Sequence, residues 1–168
     1  RHANGRQAVC FAINVRHSQH IVAQFCDAGI PAEHLDGNTP SKERQGMLQR
    51  LASGETRVIS NCEVLTEGWD LPALGAVIMA RPTESPCLYL QMVGRGLRSA
   101  PGKADCIVLD HANNTLKHGM VTDPITYSLE GKGASAVAES PLKSCPQCYL
   151  VVPIGTSVCP ECEHTFSA

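Results

Sequence analysis

Four cysteines near the end of the chain have the spacing of a metal site: Cys145-Pro146-Gln147-Cys148, ten intervening residues, then Cys159-Pro160-Glu161-Cys162. Two paired-cysteine knuckles of this kind can bring four thiolates onto one tetrahedral ion, and a segment of about two dozen residues has little core to fold without it. Zinc is the default ion. A rubredoxin-like iron centre accepts the same four thiolates, whereas a redox Cys-x-x-Cys pair needs no duplicate. His164, just past the last cysteine, reads as a surface residue and not as a further ligand.

Two further constellations suit phosphate chemistry. In Gln91-Met92-Val93-Gly94-Arg95-Gly96-Leu97-Arg98, two arginines three apart, with glycines leaving room, can set planar guanidiniums on transferring phosphoryl oxygens. The alternative is a solvated basic helix end, favoured by the helix dipole. In Leu65-Thr66-Glu67-Gly68-Trp69-Asp70 a glycine lets the backbone approach a phosphate, and a carboxylate two residues on can accept hydrogen bonds from a ribose hydroxyl. The alternative is a turn whose aspartate caps the next segment, with Trp69 as a packing residue. Asp110 with His111 invites a catalytic reading, but a strand-end turn with capping side chains accounts for it.

These residues must be carried by elements, and the apolar runs indicate which. Residues 7–12, 57–60, 76–80 and 105–109, with a weaker stretch at 32–35, are nearly continuous in apolar character, as strands buried on both faces are. Between them, residues 17–28 place Ile21, Val22, Phe25 and Ala28 on one helical face, with Gly29 where a C-terminal cap belongs. Thr39-Pro40-Ser41 opens a second helix that turns Met47, Leu48 and Leu51 inward and stops at Gly54; Ser85-Pro86 opens a third through Leu88 and Met92. This βαβα alternation predicts an α/β fold, a doubly wound parallel sheet with ligands at the carboxyl ends of its strands.

Taken in order, the motifs resemble the second RecA-like lobe of superfamily 2 helicases, over roughly residues 7–119. Residues 9–17 are similar to motif IV, Thr66–Asp70 to motif V, and Gln91-x-x-Gly94-Arg95-x-x-Arg98 to motif VI. His34-Leu35-Asp36-Gly37-Asn38-Thr39, followed by Glu43-Arg44, is similar to the segment between motifs IV and V. The resemblance implies that Gly68 and Asp70 touch the nucleotide, that Arg95 and Arg98 act as arginine fingers toward the γ-phosphate, and that Gln91 couples that site to the nucleic-acid track. It further implies that Asn14, Arg16, His17, Asn38, Cys62 and Thr66 lie near the strand backbone. Many relatives place a threonine early in motif V, where this chain has Cys62; a thiol is a poor donor, so that phosphate contact requires backbone N–H groups in its place. The pairing of such a lobe with a zinc ribbon is similar to bacterial or prophage helicases of the RadD type.

What the sequence lacks narrows the reading. No Gly-x-x-x-x-Gly-Lys-Ser/Thr occurs, since Gly102-Lys103 and Gly131-Lys132 lack the earlier glycine and the hydroxyl, and no Asp-Glu pair follows a strand. The resemblance therefore implies half an ATPase site, with ATP and Mg2+ shared with an N-terminal RecA-like lobe of the same longer chain. The start at Arg1, without a methionine, fits that expectation.

At 168 residues, 43% hydrophobic and 18% charged, the chain supports a packed core, which excludes disorder, collagen and coiled coil as its main state. Fourteen basic against sixteen acidic residues argue against holding nucleic acid by bulk charge, though not against local phosphate contacts. Nine cysteines, five scattered in apolar segments and four crowded at the end, read as buried thiols plus a metal site in a reducing compartment. No apolar run reaches the ~20 residues of a membrane span. The expected organisation is a RecA-like lobe over residues 1–120, a Gly/Ser/Ala-rich linker over 121–143 and a zinc-ribbon-like module over 144–168. The expected function is the C-terminal motor lobe of an ATP-dependent DNA helicase or translocase, cytoplasmic and bacterial or phage-encoded. The alternatives are a non-enzymatic adaptor binding nucleic acid or protein, and the motor subunit of a restriction enzyme.

Overall fold

The structure, a computed structural model, describes residues 3, 5–65, 71–124 and 141–167. It divides into two compact units, Arg1–Ala112 and Asn113–Ala168.

The first unit is built on five short strands: β1 (Ala8–Phe11), β2 (Ala32–Leu35), β3 (Val58–Asn61), β4 (Ala76–Met79) and β5 (Ile107–Asp110). They form one parallel sheet in the order β2-β3-β1-β4-β5. Three helices connect them: α1 (Val15–Asp27), α2 (Ser41–Ser53) and α3 (Pro86–Gly94). The apolar runs are strands because every residue of β1, β3 and β4 is buried, so neither face can afford the polar alternation of a half-exposed sheet.

Register separates the two faces. Ala8, Val58 and Ala76 stand side by side, and with Cys10 and Ile78 they form a cluster packed by Ile21 and Phe25 of α1. The intervening residues Val9, Phe11, Ile59, Val77 and Met79 are buried on the opposite face. The step from β1 to β2 runs one way along the sheet, while those from β2 to β3 and from β4 to β5 run the other way. Right-handed crossovers then put α1 on one face and α2 and α3 on the other. Two contacts agree: Ser18 of α1 hydrogen-bonds Ser60, whereas Gly96, just beyond α3, abuts Val77.

Sequence punctuation sets the helix ends. Asn14 accepts from the N–H of His17 at 2.8 Å, and Ser85 accepts from that of Leu88 at 3.2 Å ahead of Pro86. Several boundaries differ from expectation by one or two residues. Helix α1 closes at Asp27, so Ala28 is an exposed cap residue, and the fully buried position of that helix is Ser18. Strand β3 is shifted by one residue against the apolar run at 57–60, to Val58–Asn61. Strand β5 starts at Ile107 and not at 105, because Asp105 is paired with Arg6 and Cys106 is wedged beneath Gly96.

The second unit holds α4 (Asn114–His118) and the antiparallel pair β6 (Leu142–Ser144) and β7 (Val151–Pro153). Most of the expected linker, residues 125–140, lies outside the described residues, while its last positions belong to β6. Among the described residues no helix is long and apolar enough to cross a membrane.

Candidate functional site

The candidate nucleic-acid residues gather at the carboxyl edge of the sheet. Asn14 caps α1 directly after β1, and Arg16 and His17 follow in its first turn, where His17 accepts from the N–H of Ile13 through Nδ1 at 3.4 Å. Asn38 stands on the loop after β2, and Cys62 directly follows β3. The strand ends are tied to one another. The Cys62 N–H donates to the Leu35 carbonyl at 3.1 Å, its thiol reaches the Ile13 carbonyl at 4.0 Å, and Arg81 beyond β4 pairs with Glu63 beyond β3 at 3.1 Å. Burial pushes the Cys62 thiol up, and Glu63 and Asp36 add to that against Arg81. The group is therefore a neutral, weak donor at neutral pH, as expected of a cysteine in this place.

A buried polar chain supports the Asn38 loop. Ser18 donates to Ser60 at 2.7 Å and is hydrogen-bonded to Nδ1 of His34 at 2.7 Å, and Nε2 of His34 meets Asp36 at 3.3 Å. Asp36 then accepts from the Asn38 N–H at 2.9 Å. Burial works against the Asp36 carboxylate, but the hydrogen bonds from His34, Asn38 and Thr39 outweigh it and hold its pKa below the usual range. With a fully buried serine at one end, this Ser-His-Asp sequence is structural, because no substrate reaches the hydroxyl.

The arginine pair is elsewhere. Helix α3 runs back antiparallel to the strands, so Gln91 sits near its far end, and half-buried Arg95 and Arg98 follow it at the amino edge of the sheet. Gly96 marks the place: a Cβ there would lie 2.4 Å from Sγ of Cys106, the residue before β5, and 2.7 Å from Cγ2 of Val77, near the start of β4. The arginine pair thus stands at the edge opposite the candidate nucleic-acid residues, because a returning helix carries its last residues away from the carboxyl ends.

Sequence reasoning missed one residue here. Lys103 donates to the carbonyls of Pro72 at 2.9 Å, Gly96 at 2.5 Å and Arg98 at 2.8 Å, using all three of its N–H bonds. It is delivered by a turn in which the Lys103 N–H bonds the Ala100 carbonyl at 3.1 Å around Pro101 and Gly102 (φ 75°). Proline followed by a glycine with positive φ is the sequence signature of a type II turn, and that was the available signal.

Thr66, Gly68 and Asp70 lie outside the described residues. The residues flanking that segment are held at opposite edges. On one side the Leu65 N–H donates to Oδ1 of buried Asn61 at 3.2 Å, while Asn61 donates to the Cys10 carbonyl at 2.9 Å. On the other, Pro72 is bound by Lys103.

In the second unit the four cysteines converge. Cys145, Cys148, Cys159 and Cys162 place their sulfurs within 4.8 Å of one another, with Cys145–Cys162 and Cys148–Cys159 at 3.6 Å. A disulfide needs about 2.05 Å; a tetrahedron with metal–sulfur bonds of about 2.3 Å has edges of about 3.8 Å. The donor set fits such an ion. The two knuckles repeat one backbone pattern. Tyr149 and Glu163 donate to the carbonyls of Cys145 and Cys159 at 2.9 Å each, and both adopt positive φ (64° and 59°). Cys145 and Cys159 in turn donate to the carbonyls of Leu150 and His164, at 2.9 and 2.8 Å. Burial opposes a thiolate at Cys145, but the N–H groups of Cys148 and Gln147 aim at its sulfur and bring it down to about 6. His164 stacks edge-on against Phe166. Beyond β5, Asp110 accepts from the Ala112 N–H at 3.0 Å, the strand-end turn expected there.

Comparison with known proteins agrees with this fold. Residues 1–100 match the helicase conserved C-terminal domain. The chain is 34% identical to a 51.5 kDa protein of Lactococcus phage (isolate 7-9) over 99% of its own length and 38% of the phage protein. It is 41% identical to a putative mitochondrial ATP-dependent helicase, irc3, of Schizosaccharomyces pombe, over 76% of the chain and 21% of the relative. In structure it superposes on the ATP-dependent Type ISP restriction-modification enzyme LlaBIII bound to DNA with a TM-score of 0.56 at 29% identity, covering 64% of this chain and 8% of the enzyme. The chain thus spans well under half of each curated relative. With its five-stranded parallel sheet, the chain belongs to the helicase conserved C-terminal domain family as a RecA-like lobe of superfamily 2.

Proposed function

We propose that this lobe is the C-terminal half of a DNA helicase or translocase motor, completed by an N-terminal RecA-like lobe of the same longer chain that brings the phosphate loop and the Mg2+ carboxylates. In this reading Arg95 and Arg98 are arginine fingers on the γ-phosphate of ATP, Gln91 links them to the track, and Gly68 and Asp70 touch the nucleotide. Asn14, Arg16, His17, Asn38, Cys62 and Thr66 follow the strand backbone. Cys145, Cys148, Cys159 and Cys162 hold one Zn2+ in a module that follows the linker. The observation that carries it is the division of the candidate residues between two edges of one sheet, the candidate track residues at one and the arginines at the other, with the flanking residues Leu65 and Pro72 held by Asn61 and Lys103. DNA is favoured over RNA by the 29% identical restriction-modification enzyme, whose structure is bound to DNA. That same likeness supports a second reading, the motor of a restriction enzyme, which differs by an accompanying nuclease. The phage relative supports a bacterial or phage setting.

The deciding experiment uses the full-length protein. Fingers meet the γ-phosphate only when the lobes close, so their effect falls on the transition state and truncation lowers kcat more than it raises KM. Arg95→Ala and Arg98→Ala should each cut DNA-stimulated ATPase by at least about a hundredfold, within the range known for such fingers, with folding and zinc content unchanged. A solvated helix-end arginine would change turnover by about fivefold or less. Near-normal turnover in both variants would replace the motor reading with the adaptor.

A further inference from the structure

We propose that Lys103 is the positioning residue for Arg98: its ammonium group sets the backbone there and fastens that loop to Pro72, just beyond the motif V segment. The inference rests on reading Arg98 as a finger. Three carbonyls from two stretches of chain, Pro72 on one and Gly96 and Arg98 on the other, converge on one Nζ at 2.5–2.9 Å. Three bonds saturate the donors of a lysine, so the group has no geometric freedom left once they are made. Bonds from a charged donor are about twice as strong as neutral ones, and here they are shielded in a half-buried position. The carbonyls of Gly96 and Arg98 lie beyond the end of α3, where the helix supplies no N–H partner. Lys103 takes that role from outside the helix, and it does so across Gly96, whose lack of a side chain lets the loop close down on Cys106 and Val77. The Pro101-Gly102 turn brings the lysine back to the loop the chain has just left.

The chemistry this serves is orientation. A guanidinium must meet the phosphoryl oxygens within a fraction of an ångström, and a misplacement of about 1 Å can cost about a hundredfold in rate. The Pro72 bond gives the device its second function. Pro72 is two residues beyond the motif V segment, so a displacement there is passed to the Arg98 backbone through a single side chain.

The test is made in the full-length protein with both lobes present. Lys103→Met keeps the aliphatic stem and removes every donor. It should lower kcat of DNA-stimulated ATPase by tenfold or more, with KM for ATP within about twofold and a thermal midpoint showing a folded chain. Lys103→Arg, which restores cationic donors, should recover at least half of the lost turnover. In an Arg98→Ala background, Lys103→Met should add no further loss, because its target is already gone. Should the methionine variant not fold, Lys103→Gln is judged by the same criteria. Turnover within twofold of wild type, an equal rise in KM and fall in kcat, or a full multiplicative loss on top of Arg98→Ala would each overturn the inference. If Arg98→Ala alone is near normal, the finger reading fails and this inference with it; if Arg98→Ala is crippled and Lys103→Met is not, only the role of Lys103 falls.

Discussion

At the scale of single residues, Gly96 shows how tightly the arginine loop is fitted. A methyl group there would overlap Cys106 Sγ at 2.4 Å and Val77 Cγ2 at 2.7 Å, and both belong to a packed sheet edge that gives little. Gly96→Ala should therefore destabilise the lobe by roughly 1–3 kcal/mol, read from the denaturant midpoint of the purified chain. Removing one of the two obstacles should return part of that loss, so Gly96→Ala with Cys106→Ala should be more stable than Gly96→Ala alone. Equal stability of the single variant and wild type would mean that the loop stands off from the sheet. Residue types told unequal amounts in advance. The four cysteines were legible because metal geometry demands their spacing. Lys103 was not, because its partners are backbone carbonyls at 72, 96 and 98, which carry no signature in a sequence.

At the scale of elements, helix α2 is pinned to β2 by one ionic contact. Arg50 donates to both carboxylate oxygens of Glu33, at 3.0 and 2.5 Å, and Thr56, ahead of β3, bonds the same group. The Arg50 hydrogen bonds hold Glu33 below the ordinary glutamate range against the burial that would raise it, and Thr56 adds to them. A carboxylate with a depressed folded pKa contributes stability that is fully present above its unfolded pKa of about 4.3 and is lost as pH falls through the folded value. Glu33→Gln should thus lower the thermal midpoint at neutral pH and flatten its decline between about pH 5 and 3. Parallel wild-type and variant curves through that window would show that the pair contributes nothing to stability. The elements themselves were largely readable. Strands 76–79 and 32–35 and the helix starts at Ser41 and Pro86 follow from apolar runs and proline placement. Helix α4 and strands β6 and β7, of three to five residues, were not, because so short a stretch contains less than two periods of any pattern. The burial of Ser18 was equally hidden, since its partners Ser60 and His34 come from two other elements.

At the scale of the whole chain, the two units are stabilised by different means. The sheet unit has a core of its own, from Val9 and Ile59 to Met79 and Met92. The second unit buries little beyond Cys145, Cys159, Val152 and Asn114 among its described residues, so an ion held by the four cysteines would supply much of its folding free energy. One zinc per chain is expected, and chelation or Cys148→Ser should open residues after about 141 to proteolysis while the sheet keeps its protection. Protein prepared under reducing conditions that contained iron, or no metal, would contradict this. Sheet and module melting as one transition after chelation would contradict their independence.

The shortness of the strands has a consequence for how the two edges communicate. Four residues span about 13 Å, which exceeds the Debye length of about 8 Å at physiological ionic strength. In the proposed motor, charges gathered by the arginines at one edge would thus be largely invisible, through solvent, to phosphates lying along the other. Displacement of the chain and of the contacts that tie it, Lys103 to Pro72 among them, carries what passes between the edges in that motor, so ions that loosen the grip on a polyanion bear little on the gearing itself.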